Sequence, residues 1–153
     1  MAQLENDENI IDLDLTIAKR QRFRINGDNN AIISLDLSDN SVYDRLNEAY
    51  PKILDILSQY QGKELSDDEA IEALKTVDAD MRKLVNYIFD SEVADICCPS
   101  GYMIDLVEGR FRFEHLVERL TKLYSDNLYK EFRTMKARLS KHTDKYTKKK
   151  VGK

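Results

Sequence analysis

The sequence predicts a mainly α protein (α+β), with an N-terminal β-hairpin or small antiparallel sheet followed by a bundle of three to four helices that includes a long basic C-terminal helix. Three observations predict it. Apolar residues alternate with polar ones through Leu37, as in a half-buried strand, whereas from Val42 onward they recur at steps of three and four, as on one face of a helix. Only 5 glycines and 2 prolines interrupt 153 residues, so few positions break the helical stretches.

Met1 to Asn9 is polar and aperiodic and is expected to be a disordered N-terminus. Ile11, Leu13, Leu15 and Ile17 then occupy odd positions, the pattern of a first strand, and the same phase resumes at Phe23 and Ile25 and at Ile33, Leu35 and Leu37. Asn26-Gly27-Asp28-Asn29-Asn30 supplies residues that tolerate left-handed backbone, so a hairpin turn is expected there within an 11–37 sheet region. Directly opposed residues share a face, so odd apolar positions on both strands require an odd-length loop or a bulge. A Gly27-Asp28-Asn29 loop would oppose Phe23 with Ile33, Ile25 with Ala31, Arg22 with Ser34 and Arg20 with Asp36.

A helix is expected over about 40–60, with Ser38 or Asp39 as cap, Leu46, Ala49, Ile53, Ile56 and Leu57 on its apolar face, and Gly62 beyond its end. Pro51 either kinks it or divides it. Ser66 with Glu69 forms a capping box for a second helix over 67–90. Asp90 to Cys98 suggests a short helix, and an irregular apolar loop follows between Pro99 and Gly109. The last helix is expected over 110–140 and outruns the body, with a fraying basic tail over 141–153. One globular domain, 10–140, contains these elements. There is no internal repeat and no sustained heptad seam.

The net charge of −4 hides an asymmetry: residues 130–153 carry ten Lys/Arg against two acids, or +8, which leaves −12 on the remaining 129 residues. An acidic body with a basic end attracts acidic partners, nucleic acid or a neighbouring copy. Lys148, Lys149 and Lys150, beside Tyr146, have the character of a phosphate-tracking run, but the acidic body repels a polyanion, so nucleic acid ranks low among the partners. No stretch has the roughly 18 apolar residues of a bilayer span, and MAQLENDEN lacks the features of a secretory signal, so a cytoplasmic chain without membrane contact is expected.

No phosphate-binding glycine loop, nucleophile elbow, zinc motif or calcium loop is present. No catalytic, cofactor-binding or metal-binding residue is therefore expected, and the chain reads as a binding protein. His115 and His142 lack local partners and read as structural or solvent-facing. Cys97 and Cys98 are adjacent, read as small packing residues in a reducing compartment, and have no nearby cation cluster in the sequence. Asp67, Asp68 and Glu69 suit the first turn of a helix, and Asp78 and Asp80 point in different directions from one helix.

Candidate partner-binding residues are Phe23, Ile25, Ile33 and Leu35 on the hairpin, Tyr102 and Met103 in the apolar loop, and Lys148, Lys149 and Lys150. Unpaired hairpin edges make a homo-oligomer possible, and apolar helical stripes suit a groove for a helical client.

Four segments carry a family resemblance: RFRINGDNNAIISLDLSDNSVYDRLNEAYPKI (22–53), YIFDSEVADIC (87–97), GRFRFEHLVERLTKLY (109–124) and KHTDKYTKK (141–149). Together they resemble the tail assembly chaperones of phages and prophages of Gram-positive bacteria, over a span from Ile11 to Lys149. The resemblance implies a non-enzymatic protein that escorts the long tape measure protein, helps recruit tail tube subunits, works in the host cytoplasm and is absent from the mature virion. It also implies that a longer frameshifted form can accompany a short one, and consecutive lysine codons at Lys148 to Lys150 would suit a slippery run. The family has no motif from which binding residues carry over. Two other functions stay open: a structural tail or head-completion virion component, and a nucleic-acid-binding regulator using the basic tail.

Overall fold

The computed structural model describes residues 9–15 and 20–151, with the backbone alone described over 142–151. Strands β1 (Gln21–Ile25) and β2 (Asp28–Leu35) form an antiparallel pair. Helices α1 (Val42–Ser58) and α2 (Asp67–Phe89), the short α3 (Ala94–Cys97), a two-stranded pair β3 (Leu106–Val107) and β4 (Arg110–Phe111), and the long α4 (Arg112–Val151) follow. This is the expected hairpin followed by four helices.

The hairpin satisfies the parity requirement through a bulge. Asn26 and Gly27 form the turn at φ 52° and 73°, and the register shifts between Arg24 and Ile25, which pairs with Asp28 where Ala31 was expected. Phe23 opposes Ile33 and Arg22 opposes Ser34, as the alternation requires. Arg20 does not pair with Asp36: its guanidinium donates to the carbonyls of Ser34 at 3.1 Å and Asp90 at 3.0 Å. With Ser91 Oγ also donating to Ser34 O at 2.7 Å, the outer edge of β2 is tied to the end of α2 rather than left open.

The expected first strand is absent among the described residues. Residues 10–15 have no regular structure and Ile11 is 90% exposed; alternation alone makes no strand without a neighbouring strand to complete its backbone hydrogen bonds. Ile17 lies outside the described residues.

α1 runs unbroken through Pro51, so the loss of one backbone donor, toward Asn47, is tolerated within the helix. Ser66 caps α2 as expected: its hydroxyl accepts from the Glu69 amide at 3.2 Å and donates to Glu69 Oε1 at 2.9 Å. α2 ends at Asp90 in left-handed backbone, φ 49°. The Asn86 side chain then accepts from the amides of Val93 and Ala94, both at 2.9 Å, and so opens α3.

α2 is the axis of the core. Val77, Met81, Val85 and Ile88, at steps of four and three, are buried against Ile33 and Leu35 of β2, Val42 and Ala49 of α1, and Phe113, Leu120 and Tyr124 of α4. Phe89 and Tyr124 pack with ring centroids 6.0 Å apart. Arg45 of α1 joins the layers, donating from Nε to the Ile88 carbonyl and from Nη2 to Asp39, each at 2.8 Å.

The segment between Pro99 and Gly109 is more ordered than expected. Leu106-Val107 pairs with Arg110-Phe111 across a turn in which Glu108 and Gly109 have φ 53° and 78°. Met103 is fully buried, whereas Leu106 stays 68% exposed, so the apolar loop is covered at one end only. Polar bonds hold the covered end: Asp78 Oδ1 accepts from the Met103 amide at 2.7 Å in the interior, and nearer the surface Arg82 donates to the carbonyls of Cys98 at 2.9 Å and Gly101 at 3.0 Å.

α4 also departs from expectation, remaining helical to Val151 through the tail that was expected to fray. Asn127 donates to Leu37 O at 3.1 Å and anchors α4 to the body; all residues over 132–141 are exposed.

Candidate functional site

α1 and α4 both lie against α2, and between them opens an apolar groove of about 670 Å³. The sequence builds its walls simply. Leu46, Tyr50, Ile53, Leu54 and Leu57 recur along α1 at helical spacing, forming a stripe wider than the contact with α2 covers: Tyr50 and Leu54 stay exposed. The opposite wall is Phe111, Phe113, Glu114, Val117, Glu118 and Thr121. Phe111 and Phe113 of this wall stack at 5.5 Å with ring planes 12° apart. A smaller cavity of about 330 Å³ continues past Leu57 and Phe111 toward Leu74 and Val77 of α2.

One rim is charged. Arg110 bonds Glu118 at 2.6 Å and lies 3.5 Å from Glu114, and this arginine holds the Glu118 carboxyl below the usual carboxylate range. The Thr121 hydroxyl is buried within the wall without a hydrogen-bond partner. An apolar trough of this kind, with sparse charge at its rim, suits the nonpolar face of a helix.

The residues singled out from sequence do not gather here. Ile33, Leu35 and Met103 are core residues with at most 1% exposure, so no partner reaches them without unfolding. Phe23 and Ile25 are half-buried against the core, and Tyr102 is half-buried with its amide donating to Asp105 at 2.9 Å. The side chains of Lys148, Lys149 and Lys150 lie outside the described residues. Periodicity alone identifies an apolar face without saying which helix meets it, and so Tyr50, Leu54 and Val117 were missed; the breadth of the α1 stripe was the available signal.

The other candidate residues have structural roles. His115 Nε2 lies 2.7 Å from the Val107 carbonyl and braces the β3–β4 turn. Asp78 pairs with Arg82 at 2.8 Å on one helix, and Asp67, Asp68 and Glu69 fill the first turn of α2. Cys98 does have a cation cluster, contrary to expectation: its buried sulfur lies 3.2 Å from Arg112 Nη1 and 3.5 Å from Arg82 Nη2, brought together from three separate elements. Burial, followed by the neighbouring Cys98, pushes the Cys97 thiol up to about 11. Among the described residues there is no group of side chains arranged for a metal ion and no helix long and apolar enough to cross a membrane.

A scan against protein-family models and searches of the curated proteins and of the solved structures find no match to this chain.

Proposed function

We propose that this chain is a non-enzymatic assembly chaperone for phage tail formation, which holds a helical segment of the tape measure protein in the α1–α4 groove and helps bring tail tube subunits to it. The observation that carries the reading is the groove itself: an apolar trough bordered by the exposed Tyr50 and Leu54. A long amphipathic client has the chemistry that such a trough accepts, since its anchors at steps of three and four enter while its polar face stays in water. The client and the tube subunit come from the sequence resemblance. Work in the host cytoplasm and absence from the virion belong to the same reading.

Co-expression with a phage tape measure protein tests it: the client is expected in the soluble fraction only when this chain is present. Mass spectrometry of purified particles gives the second arm, because stoichiometric copies of this chain in virions would favour a structural component instead.

A further inference from the structure

The strip of α4 that walls the groove does not stop where the body stops. Val117, Thr121 and Ser125 face the groove, and the same line continues at steps of three and four through Leu128, Phe132, Met135 and Leu139. Phe132, Met135 and Leu139 are 57%, 52% and 60% exposed, an apolar stripe on a stretch that is otherwise mostly polar apart from Tyr129 on another face. The groove wall from Glu114 to Ser125 and the stripe from Leu128 to Leu139 are each about 16 Å long at about 1.5 Å rise per residue.

We propose that a second copy of this chain fills the groove with this C-terminal arm, in a reciprocal dimer. Because the groove and the stripe share one side of α4 and have equal length, a two-fold axis perpendicular to α4, passing beside it on the groove side level with Asn127, turns the arm of each copy into the groove of the other. One rotation makes both contacts, as an isologous interface requires. Charge favours this occupant: residues 130–153 carry +8 and the rest of the chain −12, so each basic arm leaves the like-charged arm of its partner and lies on an acidic body. The groove lining itself is balanced, Glu114 and Glu118 pairing with Arg110 beside Lys122, so the attraction is that of the acidic body as a whole.

In the dimer the arm occupies the groove until a client helix displaces it; the proposal goes beyond the client reading and does not rest on it, since the test uses the full chain without any client. Sedimentation equilibrium at tens of micromolar is expected to give twice the chain mass. Met135→Glu in the arm and Leu54→Glu in the groove, both at exposed positions, are each expected to raise the dimer dissociation constant about tenfold or more while far-UV circular dichroism stays native. If Leu54→Glu alters the spectrum, Tyr50→Glu, at the more exposed rim position, takes its place. A monomeric native chain overturns the proposal. So does a dimer that survives either substitution, and a dimer lost only with Met135→Glu would mean that arms pair with each other.

Discussion

Asp78 on α2 accepts the backbone amide of Met103 at 2.7 Å, a bond across 25 positions that fixes the descending loop against the core helix. Its other oxygen accepts from Arg82 Nε at 2.8 Å, and Arg82 in turn reaches Asp95, Cys98 and Gly101. Asp78→Ala leaves the buried Met103 amide without its acceptor and takes one of two carboxylates from Arg82, which keeps Asp95 at 2.8 Å. The expected loss is about 1–3 kcal/mol in urea denaturation, the range for a buried polar group left unsatisfied. A loss below about 1 kcal/mol would mean that the loop is held by packing alone.

The other half of that anchor is apolar. Met103 is fully buried among the core residues, and Met103→Ala is expected to cost about 2–5 kcal/mol through the cavity left behind. Leu106→Ala, three residues on at a 68% exposed site, is expected to cost less than about 0.5 kcal/mol. The contrast, read from paired denaturation curves, tests whether the segment is covered at one end only.

Tyr124 gives a pH signature. Burial, then the charge of Asp39, raises its hydroxyl from 10.0 to about 12. A folded pKa above the unfolded one means that the unfolded chain loses this proton first, so stability is intact below pH 10 and declines as pH rises toward 12. Tyr124→Phe is expected to flatten that part of the stability curve, and an unchanged alkaline slope would assign it to other groups.

Cys97 gives a chemical one. With its thiol raised to about 11, alkylation by iodoacetamide at pH 8 is expected to be roughly a hundredfold slower than for an ordinary exposed thiol. Peptide mapping of the intact folded chain locates the modified residue. Rapid modification of Cys97 at that pH would show that the α3 turn opens readily.

What could be read from the sequence depended on how far apart the partners lie. The Phe23–Ile33 register follows from parity within one hairpin, and the Ser66–Glu69 box from a spacing of three, so both were legible. Arg20 was not, because its acceptor at Asp90 lies 70 positions away, where no local rule reaches. The alternation over 11–15 misled for a related reason: period two describes a strand's faces but supplies no neighbour to pair with. The candidate site shows the same limit. A stripe on α1 and a stripe on α4 were each visible, but the groove exists only because α2 holds them apart.

The groove as a helix-binding surface is the central claim, and it is tested most directly by co-expressing the tape measure protein with the native chain, with Leu54→Glu and with Met135→Glu. The native chain and Met135→Glu, whose groove is intact, are expected to keep the client soluble, whereas Leu54→Glu leaves it in the pellet although the variant itself folds. A client held in solution equally by Leu54→Glu would contradict the account.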